Sequence, residues 1–479
     1  MEDFLITSLA KVIGSHAEPI PRQRYFLTRV SIDSRTTKPG DCFFAIPGEN
    51  FDGHDYVADA FAKGAVCAVV NKNVSSRVVR DASCEKENAQ CAIRSTQYTI
   101  LRVNDTVKAL GDFARAYRRQ CGFKVVAITG SVGKTMTRQI TYHALGRHYR
   151  VAQSPKNYNN NIGLPLTLLG AGPEEQIVIA ELGTNHPGEI AYLTGIAQPD
   201  VAVVTNVQPA HLEGFGSLQE IVKEKLSIAG GLTPDGILII NADTVPRPAS
   251  PAHRVVTFGK SPDCDYQAHN VTFDGAKSSF SIKGTQICLP VPGPGNVENA
   301  LAAWAICSQF GLTAADFAGA IKTLATIPMR AEVLQIGRLT VVDDCYNANP
   351  ASMKNALEIL AGLDQTQRRR RVFVCGDMAE LGQYARALHA ELGAAIAQAK
   401  VQVLLAVGKF ADTTAQAAKK AAEYNLQAEC FQDAFEVCDR LYEFVKDDDI
   451  ILVKGSRAAK LETVTEKLKV IRTPRKARR

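Results

Sequence analysis

Val125-Val126-Ala127-Ile128-Thr129-Gly130-Ser131-Val132-Gly133-Lys134-Thr135 is the stretch of sequence that decides the fold. An apolar run bounded by glycine predicts a buried strand. The two glycines after it allow backbone N–H groups to face phosphate oxygens at the start of the next helix, where the helix dipole adds positive potential. Ile128 stands where the longer phosphate-loop pattern has a further glycine, so this is the short G-x-x-G-K-T form. The stretch therefore predicts a strand, a nucleotide-phosphate loop and a helix in direct succession.

Similar apolar runs surround this stretch, separated by longer segments of helical character. The runs are Val125–Ile128, Ile177–Ala180, Val201–Val204 and Ile237–Ile240. Continuous apolar strands that alternate with helices are typical of a parallel sheet buried on both faces. Residues 251–291 instead alternate in polarity and are rich in turn residues, which predicts a small antiparallel excursion before a helix at Asn296–Phe310.

The same α/β rhythm returns in the last third of the chain. Its predicted strands are Leu339–Val342, Val372–Val374, Val403–Ala406 and Ile450–Val453. They are followed by Asp343-Asp344, Gly376-Asp377, Gly408-Lys409 and Lys454-Gly455-Ser456-Arg457. Ligands of open α/β sheets bind outside the carboxyl ends of the strands, so the pattern predicts one site built from several strand ends. The alternative is that glycine and aspartate merely terminate the strands.

A chain of 479 residues is too long for one hydrophobic core and suggests three domains. We predict an α/β protein with a domain at 1–120, a central parallel-sheet phosphate-loop domain at 121–328, and a Rossmann-like domain at 329–479. The first contains short strands and a helix at Thr106–Gln120, and its polar segment Asn71–Tyr98 is interpreted as a loop or insertion.

Composition narrows the class of function. A net charge of +6 is small for this length and argues against a nucleic-acid partner. The acidic start and the absence of an 18-residue apolar run predict no signal peptide and no membrane span, hence a cytoplasmic protein. The 12 cysteines form no CxxC pair, so we expect reduced thiols. The basic runs Arg368–Arg371 and Arg472–Arg479 are predicted to be solvated or disordered.

Beside the phosphate loop, two residues are candidates for a metal site. Glu181 follows a predicted strand and suits Mg²⁺. His211 lies in the loop after the next strand, close to the phosphate and carboxylate candidates. In the loop itself, Lys134 can reach the outer phosphates and the Thr135 hydroxyl can hold Mg²⁺. Spacing alone describes Lys225 as an ordinary surface lysine.

Longer motifs, spread over almost the whole chain, resemble the Mur ligase family. They are Gly40–Ala45, Gly48–His54, Thr129–Thr135, Asn157–Pro165, Glu181–Ile190, His211–Gly216, Gly295–Ala300, Asp343–Pro350, Gly376–Gly382 and Lys454–Arg457. The resemblance implies a UDP-sugar-binding α/β domain, a central phosphate-loop ATPase domain and a closing Rossmann-like C-terminal domain. It further implies a monomeric, ATP-dependent, ADP-forming ligase that joins D-alanyl-D-alanine to UDP-N-acetylmuramoyl-tripeptide through an acyl phosphate. Diaminopimelate and lysine stay open as the third residue of the tripeptide.

The resemblance also implies roles for individual residues. For ATP they are Gly130, Ser131, Val132, Gly133, Lys134, Thr135 and Met136, with Asn296 and Asn299 at adenine, Arg330 at the phosphates and Asp344 at the ribose. For catalysis and two Mg²⁺ ions they are Lys134, Thr135, Glu181, His211 and Lys225, the last as a carbamylated lysine. For the UDP-muramoyl substrate and the dipeptide they are Ser34, Arg35, Asn50, Phe51, Asp52, Gly53, His54, Asn160, Tyr346, Asn347, Lys454, Ser456 and Arg457.

The sequence departs from the family pattern at two places and leaves other readings open. Met329 stands where glycine is common and Cys345 where serine or alanine is usual, which affects only local backbone shape.

The ligase that adds the third stem-peptide residue usually carries Asp-Asn-Pro-Arg, which this chain lacks. Folylpolyglutamate synthetase lacks the Gly48–His54 element, and a scaffold without chemistry would not need Lys134. Asp343 and His389 are the candidate bases for the incoming amine.

Overall fold

The computed structural model describes residues 4–17, 26–74, 98–249, 252–364 and 368–472. These residues form three successive α/β units, which confirms the predicted fold class. Most of the polar segment predicted as a loop, residues 75–97, and the basic tail beyond 472 lie outside the described residues. No helix within the described ranges is long and apolar enough to span a bilayer.

The N-terminal unit contains a mostly parallel sheet with the strand order β1-β5-β4-β3-β2. Its strands are β1 (His16–Ala17), β2 (Arg29–Ser31), β3 (Asp41–Phe44), β4 (Cys67–Val70) and β5 (Thr99–Arg102), and only β1 pairs antiparallel. Its helices are Ile6–Val12, Val57–Ala62 and Thr106–Cys121. Side chains alternate across β3, so Phe43 and Phe44 enter hydrophobic clusters on opposite faces.

The central unit carries the predicted parallel sheet, with the strand order β11-β10-β9-β6-β8-β7. Its strands are β6 (Lys124–Thr129), β7 (Val151–Gln153), β8 (Ile177–Glu181), β9 (Val201–Val204), β10 (Ile237–Asn241) and β11 (Arg254–Phe258). Its α-helices are Lys134–Leu145, Gly163–Gly170, Glu189–Ala197, Leu212–Phe215, Leu218–Leu226, Pro294–Gln309 and Ala314–Ile321. Because β6 lies between β8 and β9, the phosphate loop is flanked by the carboxyl ends of both neighbours.

The antiparallel excursion predicted for residues 251–291 is only partly correct. Strands β12 (His269–Asp274), β13 (Lys277–Ile282) and β14 (Thr285–Leu289) form an antiparallel sheet. Strand β11 instead pairs parallel with β10 at the edge of the central sheet. An edge strand has one neighbour and a partly exposed surface, so its alternating polarity does not reveal its direction.

The C-terminal unit has the strand order β15-β16-β20-β17-β18-β19. Its strands are β15 (Glu332–Ile336), β16 (Leu339–Asp343), β17 (Arg371–Gly376), β18 (Val403–Val407), β19 (Gln427–Phe431) and β20 (Ile450–Lys454). Its α-helices are Pro350–Gly362, Ala385–Gln398, Ala411–Ala421, Ala434–Phe444 and Glu462–Arg472. Strands β15 and β16 pair antiparallel, and the last strand, β20, lies between β16 and β17. The carboxyl ends of the parallel strands β16, β20 and β17 are therefore neighbours.

The N-terminal and central units share one hydrophobic core. The helix Thr106–Cys121 connects them, because its Phe113 and Tyr117 belong to the same cluster as Leu164 and Leu168 of the central unit. At the same contact, the Tyr117 hydroxyl donates to Ala171 O at 2.7 Å. The C-terminal unit has separate clusters on the two faces of its own sheet. The first two units therefore form one body, against which the C-terminal unit packs.

The basic run Arg368–Arg371 contradicts the prediction of a solvated segment for part of its length. Arg371 begins β17 and is only 4 % exposed. Its guanidinium donates to Ala399 O and Asp364 O, both at 2.8 Å. Arg370 forms an ion pair with the buried Asp449 at 2.7 Å, whereas Arg368 is exposed as predicted. Charge counting misses this difference because it depends on where the strand begins.

Candidate active site

A cavity of about 1080 Å³ separates the central unit from the C-terminal unit. Most of the residues predicted for ATP, metal and the incoming amine line it. They are Ser131, Val132, Gly133, Lys134, Thr135, Met136, Asn160, Glu181, His211, Asn296, Asn299, Arg330, Asp344, Tyr346, Asn347 and Lys454. One cavity thus contacts the phosphate loop on one side and the strand ends of a second sheet on the other.

The phosphate loop is held in shape by the end of strand β9. Asn206 Oδ1 accepts from Val132 N at 2.9 Å, and Asn206 O accepts from Ser131 N at 3.0 Å. Gly130 has a φ of 149°, and a Cβ there would overlap the Thr205 hydroxyl, so no larger residue fits. The sequence shows Asn206 at a strand end, but its role as a support of the loop depends on the strand order.

Asn299 packs directly over the phosphate loop. A Cβ on Gly133 would overlap its side-chain oxygen, and Gly133 has a φ of 87°. Asn299 Nδ2 donates to Asn296 Oδ1 at 3.4 Å, while Asn296 Nδ2 donates to Pro292 O at 2.7 Å. Both asparagines are buried. They join the start of the helix Pro294–Gln309 to the loop.

Glu181 is surrounded by polar groups from two segments of the central unit, the helix Lys134–Leu145 and the loop that contains Asn159. The Thr135 hydroxyl donates to Glu181 Oε2 at 3.0 Å, and Asn159 Nδ2 donates to Oε1 at 3.4 Å. The buried Arg138 places Nε 3.4 Å from Oε2. Arg138 and Asn159 were not among the predicted site residues. Arg138 lies one helical turn after Lys134 in the sequence, but only the fold turns it toward Glu181.

Two lysines predicted for the site are buried and differ in their partners. Lys134 lines the cavity, whereas Lys225 is not among its lining residues. Lys134 Nζ donates to Gly130 O at 2.6 Å, so its amine lies over its own loop. Lys225 is 1 % exposed, and its Nζ has no hydrogen-bond partner among the described residues. Burial, together with the nearby charge of Lys134, moves the pKa of Lys225 well below its ordinary value. The spacing-based picture of a surface lysine at 225 is therefore wrong.

Glu224, the neighbour of Lys225, is a buried carboxylate that the sequence gave no reason to select. It accepts from Gly188 N at 2.7 Å and Ile190 N at 2.8 Å, at the start of the helix Glu189–Ala197. The Thr184 hydroxyl lies 3.3 Å from its Oε1. A carboxylate at a helix N-terminus is stabilised by free N–H groups and the helix dipole. Glu224 therefore ties the loop after Glu181 to the helix that carries Lys225.

The linker into the C-terminal unit adopts an unusual backbone conformation at the cavity wall. Met329 and Ala331 have φ values of 63° and 51°, in the left-handed region. Ala331 N donates to Asp344 Oδ1 at 3.0 Å, and Tyr346 N donates to Met329 O at 3.2 Å. The Arg330 guanidinium lies over the Tyr346 ring at 4.1 Å. The glycine common in the family at position 329 fits this backbone, and methionine adopts it here at some cost.

Lys454 and Asp344 join two strand ends across the C-terminal sheet. Lys454 is buried, with Nζ 2.7 Å from Asp344 Oδ2 and 2.9 Å from Asn347 O. Of the four predicted strand ends, these two reach the cavity. Asp377 instead accepts from Lys409 N at 2.7 Å, so the other two strand ends pair with each other.

His211 meets the C-terminal unit directly. Its Nδ1 lies against Glu380 Oε2, and this contact with the imidazole lowers the pKa of Glu380. Glu213 N donates to Glu380 O at 3.2 Å, and the Tyr384 hydroxyl donates to Gly216 O at 3.3 Å. Glu380 also lines the cavity. It was not among the predicted site residues, although it lies in the motif Gly376–Gly382.

The residues predicted for the UDP-muramoyl substrate lie at the carboxyl ends of β2 and β3, and do not line the cavity. His54 is buried, accepts from Asn71 N at 3.1 Å, and has Nδ1 2.5 Å from Asp52 Oδ1. Lys72 forms an ion pair with the same carboxylate. Phe51 is exposed. Of the predicted set, the exposed residues are Arg35, Asn50 and Phe51. Asp52 and Gly53 are partly buried, and Ser34 and His54 are buried.

A few predicted site residues bond to other parts of the protein or lie outside the cavity lining. Asn160 lines the cavity, but its Oδ1 accepts from Gly163 N at 2.8 Å and caps the following helix. Ser456 and Arg457 are not among the cavity-lining residues, and Arg457 pairs with Glu462 at 3.1 Å. Neither candidate base lines the cavity. They are Asp343, which accepts from Cys345 Sγ at 2.9 Å, and His389, whose ring nitrogens bond Ala385 O and Met378 N.

Comparison with known proteins assigns the family. A model of the Mur ligase middle domain matches residues 128–307, and one of the Mur ligase glutamate ligase domain matches residues 329–457. A third, described as the Mur ligase family catalytic domain, matches residues 27–118. The chain belongs to the Mur ligase family, as the sequence predicted. It is an ATP-dependent amide-bond ligase.

Individual relatives match over nearly the whole chain. The UDP-N-acetylmuramoyl-tripeptide–D-alanyl-D-alanine ligase of Bacillus subtilis is 33 % identical, covering 97 % of this chain and 98 % of its own. The enzyme of the same name from Escherichia coli is 34 % identical, covering 92 % and 94 %. A crystal structure of MurF from Acinetobacter baumannii superimposes with a TM-score of 0.84 at 29 % identity, covering 96 % and 98 %. MurF from Thermotoga maritima in complex with ADP gives a TM-score of 0.76 at 26 % identity, covering 92 % and 97 %.

Proposed function

We propose that the chain joins D-alanyl-D-alanine to a UDP-N-acetylmuramoyl-tripeptide, with conversion of ATP to ADP and phosphate. One observation carries the proposal: a single cavity is lined by the phosphate loop of one unit and by strand-end residues of another. A ligase has to bring ATP, a carboxylate and an amine together, and a cavity between two units suits this task. The names of relatives aligned over more than nine-tenths of the chain support the choice of substrates.

The chemistry requires activation of the carboxylate, because its oxygen is a poor leaving group. A carboxylate oxygen attacks the γ-phosphorus of ATP, the bond to the β-phosphate oxygen breaks, and ADP leaves. The amine then attacks the carbonyl carbon of the acyl phosphate, the C–N bond forms, and phosphate departs with the C–O electrons and takes the proton that the amine nitrogen loses. The protein mainly positions the reactants and neutralises charge. Lys134 and Arg330, which line the cavity, are the cations suited to the phosphates.

The residues around Glu181 fit a magnesium site. Hydroxyl and carboxylate oxygens are typical Mg²⁺ ligands, and bound Mg²⁺ would neutralise phosphate charge. No group of three His, Cys, Asp or Glu side chains in the described ranges could hold a metal by itself. The buried, unpartnered amine of Lys225 fits conversion to a carbamate, which would supply the missing carboxylate. We propose that Thr135, Glu181, His211 and carbamylated Lys225 hold two Mg²⁺ ions.

The substrates would enter from different sides. We propose that the carboxyl ends of β2 and β3, around His54, bind the UDP-muramoyl group. Tyr346 and Asn347, at the end of β16, would face the dipeptide. No side-chain base is needed if the dipeptide amine arrives neutral, and exclusion of water by the closed units would protect the acyl phosphate from hydrolysis.

The test is phosphate release from ATP in the presence of UDP-muramoyl-tripeptide, with and without D-alanyl-D-alanine. We expect release that depends on all three substrates, together with formation of the pentapeptide product. Release with a single amino acid in place of the dipeptide would contradict the proposed substrate. Absence of release with every amine tested would favour a nucleotide-binding scaffold. Repeating the assay with a tripeptide that ends in diaminopimelate and with one that ends in lysine identifies the third residue.

A further inference from the structure

The loop that carries His211 and the segment 380–384 of the C-terminal unit form a contact across the cavity. It consists of one side-chain pair and two further hydrogen bonds. Glu380 Oε2 contacts His211 Nδ1, Glu213 N donates to Glu380 O at 3.2 Å, and the Tyr384 hydroxyl donates to Gly216 O at 3.3 Å. Gly382 approaches Glu213 closely enough that a Cβ would lie 3.3 Å from Glu213 Cα. We name this set the 211–384 contact.

Both members of the side-chain pair have strained backbone. His211 has a φ of 54° and Glu380 a φ of 61°, in the left-handed region that glycine adopts without steric penalty. Two non-glycine residues that face each other in this conformation carry a backbone cost that glycine would avoid. Stability does not explain the choice, because half-exposed ion pairs add little, and the Glu380 side chain is 49 % exposed.

The contact between Nδ1 and Oε2 also indicates which ring nitrogen is free. A carboxylate only accepts hydrogen bonds when ionised, so the proton between the two side chains lies on His211 Nδ1. The other nitrogen, Nε2, then carries the lone pair of the ring, and His211 lines the cavity. Metal-binding histidines in proteins commonly donate their second N–H to a carboxylate, which sets tautomer and ring orientation.

We propose that Glu380 is a positioning residue that orients His211 and fixes its tautomer once the C-terminal unit has closed. The inference rests on the proposed function, since it deepens the role given to His211. Closure and orientation are then linked, because the carboxylate that aligns the central unit's histidine arrives on the C-terminal unit. His211 completes its part of the site only in the closed enzyme.

The contact offers variants that separate orientation from closure. Glu380→Ala removes the carboxylate but keeps the main-chain bond from Glu213, whereas Tyr384→Phe removes a closing contact away from His211. We expect Glu380→Ala to lower kcat by ~10- to 100-fold, with little change in the KM for ATP. Glu380→Gln should recover part of this loss, because its amide oxygen still accepts from Nδ1. Tyr384→Phe should behave like the unsubstituted enzyme.

Two further readouts do not depend on turnover. Among the nine histidines of the chain, His211 is assigned in ¹⁵N-histidine NMR by its loss in His211→Gln. Its two ring nitrogens should show one fixed tautomer in the unsubstituted protein and a mixture in Glu380→Ala. Glu380→Gly should raise the melting temperature, by relieving the left-handed strain, while kcat still falls. A residue with a purely structural role would not give these opposite changes.

Three outcomes would overturn the inference. They are an unchanged kcat in Glu380→Ala, an equal loss in Tyr384→Phe, and His211 nitrogen signals that are identical with and without the Glu380 carboxylate. If the unsubstituted enzyme shows no ligation, the proposed function fails, but the NMR comparison still decides whether Glu380 orients His211.

Discussion

The amine of Lys454, buried at the end of β20, lies 2.7 Å from the Asp344 carboxylate just beyond the end of β16. The same amine donates to Asn347 O at 2.9 Å. The Lys454 side chain thus holds both Asp344, which is proposed to bind the ribose, and the backbone of Asn347, which is proposed to face the dipeptide. In the structure it positions these groups and also lines the cavity, so its place on the dipeptide side stays a prediction.

Replacing Lys454 with methionine should therefore impair both stability and nucleotide binding. Removing one partner of a buried ion pair leaves the other charge uncompensated and costs about 3 kcal/mol. We expect a lower unfolding midpoint of the C-terminal unit by circular dichroism and a higher KM for ATP. Arg338→Gln, which removes an exposed pair with Asp448, is the matched control and should leave both unchanged. A Lys454→Met enzyme with normal stability and KM would show that the pair is dispensable.

Lys225→Ala should abolish ligation, since the proposed carbamate needs this amine. We expect activity to fall by on the order of 100-fold or more, and to return in part with added formate or acetate. Lys223 lies on the same helix but is exposed, so Lys223→Ala is the matched control. Full activity of Lys225→Ala without a small carboxylate would mean that no carbamate is used.

His389 makes the stability of the C-terminal unit depend on pH. Burial lowers the pKa of His389, and its 3.7 Å approach to Asp377 opposes this only weakly. Between the lowered folded pKa and the ordinary value near 6.5, the unfolded chain binds a proton that the folded chain does not. Stability should thus be complete above about pH 6.5 and decline as the pH falls toward the folded pKa.

The measurement is the melting temperature of the unsubstituted protein and of His389→Gln at a series of pH values. The difference between the two should shrink as the pH falls below the ordinary histidine pKa. A constant difference across the series would show that His389 keeps an ordinary pKa in the folded protein.

Substitution of two arginines in the same basic run should change the free energy of unfolding by very different amounts. Arg371→Met leaves several buried carbonyl groups without a donor and should cost about 3 kcal/mol in the free energy of unfolding. Arg368→Met changes an exposed side chain and should have little effect. Equal effects of the two substitutions in urea denaturation would refute the assignment of Arg371 to the core.

The features of this protein that follow a local pattern were predictable from its sequence. The phosphate loop and the strands β6, β8, β9 and β10 lie where apolar runs and glycines place them. Even the departure at Met329 coincides with a backbone conformation that favours glycine. The family resemblance supplied what no spacing rule could, including the prediction that Lys225 is a carbamylated metal ligand.

The features that depend on packing between distant segments were not predictable. Glu224 and Glu380 look like ordinary helix and loop carboxylates, because their partners lie far away in the sequence. Arg368 and Arg371 have identical chemistry and differ only in position relative to the start of β17. Strand order, which decides what borders the phosphate loop, is likewise set by the whole sheet.

The shared core of the first two units has a consequence for biosynthesis. Its members run from Phe4 to Val245, so the N-terminal sheet cannot complete its packing until about half of the chain has left the ribosome. Until then, the side of helix Thr106–Cys121 that packs against the helices Gly163–Gly170 and Glu189–Ala197 stays uncovered on the nascent chain. We therefore expect that residues 27–118, which one family model matches, do not fold on their own. A fragment that ends near residue 120 should need a chaperone or aggregate, whereas one that extends past Val245 can bury this face.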